Sequence, residues 1–143
     1  MLITLFSGLG GIKMVKEDTF YRCEICGNVV STLIAKAPPI HCCGQPMVEE
    51  KPKEKSQEGN EKHVPVIMHG EHKVIVNVGD IPHPMDEDHW IVLVQLVKNG
   101  QVIAGKRLNP GELPHVEFDM PRYDPEGIKA RAYCNKHGLW ESE

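Results

Sequence analysis

The run Cys134-Asn135-Lys136-His137-Gly138-Leu139-Trp140 sets a thiol and an imidazole three residues apart, in a turn that Gly138 lets close tightly. A soft sulfur and a borderline nitrogen at that spacing are metal ligands, but two donors do not make a site. More imidazoles lie upstream: His63 in His63-Val64-Pro65, His83 in His83-Pro84-Met85, and His89 in His89-Trp90. If all four histidines converge with Cys134, a metal there has four nitrogens and one sulfur. Such a set is unlike structural zinc, which is nearly always closed by four ligands.

A second set of donors stands nearer the start. Cys23, Cys26, Cys42 and Cys43 form a C-x2-C…C-C pattern, and with Cys134 they make an odd total of five cysteines. That arithmetic favours metal ligation over a disulfide framework and points to a reducing cytoplasm. Gly27 and Gly44 directly follow the two pairs, where the backbone must turn if amide N–H groups are to face the sulfurs. A tetrahedral four-thiolate site holds zinc or iron, and spacing alone leaves both open.

The elements around these donors follow from composition and periodicity. A chain of 143 residues, a quarter of them charged, suits one domain of common size plus a small appendage. A net charge of −4 without a basic cluster argues against a nucleic-acid or anionic-membrane partner. Met1 to Ile12 is apolar, has no basic residue before it and is too short to span a bilayer; residues 1–13 are expected to be an extension ahead of the polar start at Met14. Residues 14–48 read as a module of short strands, Thr19 to Arg22 and Val29 to Ala35, with too few large apolar side chains to fold without a metal staple. Residues 49–62, almost wholly polar and of alternating charge, read as a linker.

From residue 63 to 143 the pattern is β. Val74, Val76 and Val78 alternate with Lys73, Ile75 and Asn77, and Trp90 to Val97 is a nearly continuous apolar run. Asn99-Gly100 predicts a type I′ hairpin turn into Gln101 to Lys106. Further strands are expected at His115 to Met120 and Ile128 to Tyr133, without a credible helix. The fold class expected is therefore all-β, a small metal-stapled domain followed by an antiparallel β-sandwich.

Six motifs in order give the chain a family resemblance. C-E-I-C-G-N at 23–28, C-C-G-Q-P-M at 42–47, E-K-H-V-P at 61–65, H-P-M at 83–85, H-W at 89–90 and C-N-K-H-G-L-W at 134–140 resemble desulfoferrodoxin, the two-iron form of superoxide reductase. The resemblance implies a desulforedoxin-like iron bound by Cys23, Cys26, Cys42 and Cys43. It also implies a second iron with His63, His83, His89 and His137 in a plane, Cys134 as axial ligand, and an open position opposite the sulfur. An immunoglobulin-like sandwich, a homodimer and a rubredoxin-type electron donor are implied with it. So is the reaction, one-electron reduction of superoxide to hydrogen peroxide without dioxygen release. Lys62 resembles the family's lysine that draws the anion in and helps protonate the product, and Glu61 the carboxylate that takes the open position once iron is ferric. One departure is Ala37-Pro38-Pro39-Ile40, where the family tends to be glycine-rich; the count between Cys26 and Cys42 is nevertheless kept, so a stiffer loop is expected.

Other residues have plainer readings. His41, His69, His72 and His115 are expected on the surface or in packing, Met47, Met68 and Met85 in packing, and Trp90 and Trp140 in the core or screening the ligands from water. Pro82 and Pro84 restrict the loop that carries His83. Two competing functions remain at this point. An electron-transfer protein would have its second iron saturated by Glu61, and a binding module would use zinc at the cysteines; the second has no need of the histidines.

Overall fold

The computed structural model describes residues 14–54, 60–122 and 124–143, and it divides into two units, one ending at Glu50 and the other beginning at Lys51. The expected extension at 1–13 lies outside the described residues.

The first unit is built from five short strands: β1 (Phe20–Arg22), β2 (Val29–Ser31), β3 (His41–Cys42), β4 (Gln45–Pro46) and β5 (Val48–Glu50). β1 lies between β2 and β5 in one antiparallel sheet, and β3 pairs with β4 in a separate hairpin. The core is small: Tyr21, Cys23 and Met47, with Val15, Ile40 and Cys42 packed against it. β2 stops at Ser31, short of the Ala35 that its β-branched composition predicts. Its partner β1 ends at Phe20, and Asp18 turns the chain away with φ of 50°, so the pairing is replaced by Asp18 N–H to Thr32 O and Thr32 N–H to Thr19 O. Leu33 and Ile34 are left exposed.

The second unit opens with a single helical turn, α1 (Asn60–His63), a short exception to the all-strand reading. Seven strands follow: β6 (Pro65–Gly70), β7 (Lys73–Val78), β8 (Ile91–Lys98), β9 (Gln101–Arg107), β10 (His115–Asp119), β11 (Ile128–Cys134) and β12 (Gly138–Glu141). They form two antiparallel sheets, ordered β10-β7-β6 and β12-β11-β8-β9. The sheets share one core, to which β7 gives Val74, Val76 and Val78, β8 gives Ile91, Val94 and Leu96, and β11 gives Ile128, Ala130, Ala132 and Cys134. Strict alternation along β7 and β11 follows from the two-residue period of a strand with one face in the core. Asn99 and Gly100 have φ of 51° and 81°, the double left-handed geometry of the type I′ turn.

Register decides where loops meet. Pro65 at the start of β6 pairs with Val78 at the end of β7, while Ile91 at the start of β8 and Gly138 at the start of β12 both pair with Cys134 at the end of β11. The same end of each sheet therefore carries the segments that hold His63, His83, His89, Cys134 and His137. The stretch 49–62, which composition reads as a linker, has Glu49 and Glu50 in β5, and Lys53 bridged to Trp140. Residues 55–59 lie outside the described set.

Candidate metal centres

The four cysteines of the first unit come together, their sulfurs all within 4.8 Å of one another. Each pair sits in a tight turn. Gly27 takes φ of 84°, and Cys43 and Gly44 take 53° and 78°, so the backbone curls around the sulfurs. The amides of Cys26 and Asn28 point at the sulfurs of Cys23 and Cys26, each at 3.5 Å, and the Asn28 side-chain amide lies 3.6 Å from Cys42 Sγ. Such donors favour thiolate. The Cys26 amide, the largest influence, holds Cys23 down at about 6, while contact with the other sulfurs pushes Cys43 up to about 12. Four thiols this close cannot all ionise by themselves, and a cation among them removes the conflict.

The second set is assembled from four separate segments. His63 ends α1; His83 follows β7, its N–H donating to Val78 O at 3.2 Å. His89 closes a turn in which Asp86 and His89 exchange backbone hydrogen bonds of 2.9 and 3.2 Å. Cys134 ends β11 next to a β-bulge after Tyr133, a feature that re-aims side chains beside functional sites. His137 lies in the β11–β12 turn, which Gly138 closes with φ of 77°.

The imidazoles form a square. Neighbouring ring centroids are 4.7 Å apart for His63 and His83, 4.7 Å for His83 and His89, 5.0 Å for His89 and His137, and 4.7 Å for His137 and His63. Each neighbouring pair is steeply inclined, by 68° to 81°, whereas His63 and His89 face one another across 6.3 Å at only 34°. Ligand atoms of His63, His89, Cys134 and His137 lie within 4.8 Å of one another, and His83 completes the square through its ring contacts with His63 and His89.

The hydrogen bonds indicate which ring nitrogens face inward. His83 Nδ1 lies 2.6 Å from the Pro84 carbonyl, which can only accept, so Nδ1 carries the proton and Nε2 is left with its lone pair. His83 Nε2 and His89 Nε2 are buried with no hydrogen-bond partner. His63 Nε2 meets His137 Nδ1 at 3.1 Å, and Cys134 Sγ lies 3.7 Å from the same His137 atom. Two buried ring nitrogens without partners are costly unless a cation supplies what is missing, so this donor set fits a metal ion.

The protonation chemistry agrees. Burial holds His83 down at about 4, with the surrounding imidazoles adding to it against the Pro84 carbonyl, and burial likewise lowers His89. Burial pushes the Cys134 thiol up, so the thiolate needs a compensating cation. Trp140 stacks on His63 at 4.8 Å and 20°, covering one ring face.

The family model for desulfoferrodoxin matches residues 55–143, and that for the desulfoferrodoxin N-terminal domain matches residues 16–49. The chain belongs to the desulfoferrodoxin family. A desulfoferrodoxin homolog from Archaeoglobus fulgidus is 43% identical over 129 residues, covering 90% of this chain and 99% of that protein. The desulfoferrodoxin of Nitratidesulfovibrio vulgaris is 41% identical over 131 residues, covering 91% and 99%. Among solved structures, the superoxide reductase from Treponema pallidum superposes with a TM-score of 0.66 at 27% identity, over 91% of this chain and all of that one. Family membership and the two donor sets agree on two iron ions per chain, one for the four cysteines and one for the histidines with Cys134.

Within this desulfoferrodoxin frame, the remaining residues are placed as follows. Lys62 is exposed in α1, next to His63, and the Glu61 side chain lies outside the described residues. His41 is exposed, and His115 lies on the outer side of β10, its Nδ1 2.6 Å from Asn77 Oδ1. Met85 packs against the core, and its sulfur accepts from Ile91 N–H at 3.4 Å.

Three residues that support the centre escaped the sequence reading. Asn135 brackets His89: its Oδ1 accepts from Trp90 N–H and its Nδ2 donates to Asp88 O, both at 2.9 Å. Gly79, with φ of 88°, donates to Val64 O at 3.0 Å, and a Cβ there would collide with the Ile81 carbonyl and come within 2.7 Å of the Lys62 carbonyl. Lys53 reaches the His137 carbonyl. Asn135 stood inside a named motif and Gly79 at the end of a legible strand, but nothing local marks Lys53.

Proposed function

We propose that the chain is a superoxide reductase, reducing superoxide by one electron to hydrogen peroxide at the centre of His63, His83, His89, His137 and Cys134. The observation that carries this reading is the square of imidazoles, with His83 Nε2 and His89 Nε2 unpartnered, beside a buried thiol. Iron held by these residues would supply the electron, and the Cys134 thiolate would add electron density to it.

The protein's own groups do the rest. Neutral imidazoles add no charge, and low proton affinity at His83 and His89 keeps them unprotonated as ligands near neutral pH. Lys62, exposed beside His63, attracts the superoxide anion and holds a proton for the leaving peroxide. Glu61 would offer a hard carboxylate oxygen, a donor that favours ferric over ferrous iron. Superoxide, one electron and two protons then balance to hydrogen peroxide, and no dioxygen forms.

The four-cysteine site is read as an electron-transfer centre in a domain of residues 14–48, joined through 49–62 to a catalytic domain of residues 63–143. Exposure of Cys26 and Cys43 supports electron entry there from a rubredoxin-type carrier. A homodimer in a reducing cytoplasm completes the reading, and five free cysteines support the compartment. Among the described residues, no helix is long and apolar enough to cross a membrane.

The test is to generate superoxide against the reduced protein and count products. Hydrogen peroxide equal to the superoxide consumed, with oxidation of iron and no dioxygen, is expected. Dioxygen release would make the protein a dismutase, and inert reduced iron would leave only electron transfer.

A further inference from the structure

Lys53 lies in a stretch whose composition reads as a linker, yet it is tied into the second unit by its backbone. Its N–H donates to Leu139 O and its carbonyl accepts from Glu141 N–H, both at 2.9 Å, which adds a parallel bridge beside Trp140. The fixed backbone directs the side chain to the β11–β12 turn. Lys53 Nζ donates to the His137 carbonyl at 2.8 Å and sits 5.3 Å from the centre of the Trp140 ring. Trp140 in turn donates from Nε1 to the same carbonyl at 3.1 Å and stacks on His63.

In the second unit Lys73, Lys98, Lys129 and Lys136 each lie within 4 Å of a carboxylate, at Glu117, Asp124, Glu141 and Asp88. Lys53 has no such partner among the described residues; its contacts are a carbonyl and an indole face. A half-buried cation held by a carbonyl and an indole face projects its field onto what it touches, and here that is one ligand's backbone and the ring stacked on another.

We propose that Lys53 tunes the five-donor centre, its fixed positive charge favouring the ferrous over the ferric state while its hydrogen bond holds the His137 turn. A positive charge costs more beside Fe(III) than beside Fe(II), so it raises the reduction potential. Lys53 touches neither substrate nor iron, so it is a positioning residue acting through His137 and Trp140. The inference rests on the ligand set proposed above.

The experiment is a redox titration of the iron-loaded full chain, following the part of the ferric–thiolate absorption that Cys134→Ser removes, for the parent, Lys53→Met, Lys53→Arg and Lys129→Met. Lys53→Met is expected to lower the equilibrium constant for reduction about tenfold, ~59 mV for one electron. Lys53→Arg should restore most of it, and Lys129→Met, an equal change of net charge on a lysine paired with Glu141, should leave it in place. Should Lys53→Met fail to hold iron, Lys53→Gln, which keeps a donor without the charge, is read instead. A midpoint unchanged in the uncharged variant, or moved equally by Lys129→Met, overturns the role of Lys53. A parent whose ferric–thiolate absorption Cys134→Ser leaves unchanged would instead overturn the ligand set.

Discussion

The two donor sets show opposite relations between metal and fold. In the first unit the four sulfurs form much of what there is to pack: Cys23 is one of three core residues, and Cys42 packs against them. In the second, Cys134 is one of thirteen buried core residues, and the histidines stand on turns at the end of a sandwich that closes without them. The first fold is therefore expected to depend on its metal, and the second to hold one on a core complete without it. A site built on a finished scaffold can leave a coordination position open, because the protein does not depend on the metal for its core.

Removing iron with a chelator under reducing conditions breaks this comparison most severely. Amide exchange should become fast throughout residues 14–50, while β7, β8 and β11 keep their protection. Equal loss of protection in both units would dissolve the distinction.

Next in size is Cys134→Ser. Deleting the sulfur should abolish the histidine centre's share of the ferric–thiolate absorption, leaving that of the four-cysteine iron, and slow superoxide reduction by more than the ~100-fold typical of losing an outer-sphere partner, with the sandwich intact. Stopped-flow absorbance and circular dichroism check the two halves.

Gly79→Ala sharpens the point that scaffold backbone positions ligands. A Cβ there meets the Ile81 and Lys62 carbonyls, whereas Gly111, with φ of 90°, has open space around it. Gly111→Ala should cost about 1 kcal/mol from the left-handed backbone alone. Gly79→Ala should cost roughly 3 kcal/mol or more and loosen iron at the histidine centre. Denaturant melts with iron analysis of both variants decide this, and equal costs would remove Gly79 from the support of His63.

Asn135→Ala removes two hydrogen bonds flanking His89 and should weaken iron binding about tenfold, read by competition with a chelator. The smallest effect is expected for Lys62→Ala, a few-fold slower capture of superoxide at low salt that fades as salt screens the charge. Capture as fast as the parent at every ionic strength would contradict the role given to Lys62.

Much of the architecture was legible because it depends on local rules. The valines of β7 alternate in the sequence as they do in the core, and Asn99-Gly100 can adopt the doubly left-handed turn that few other pairs tolerate. β6 and β12 were not, since Pro65 opens an edge strand of irregular exposure and Gly138 to Glu141 is short and overlaps a ligand motif. Donor residues were visible through residue type and motif, but their supports were not. Lys53 meets His137 across 84 positions, and Gly79 owes its role to space taken by the Lys62 backbone, which no periodicity encodes.

The central claim is that nine side chains divide between two irons as four sulfurs, and as four imidazole nitrogens with one sulfur. X-ray absorption at the iron edge of the fully loaded, reduced chain measures it most directly. The account predicts scattering from five sulfurs and four imidazole nitrogens shared over two irons, falling to four sulfurs in Cys134→Ser with the imidazole signal kept. A spectrum without imidazole scattering, or a sulfur count that Cys134→Ser does not change, would contradict it.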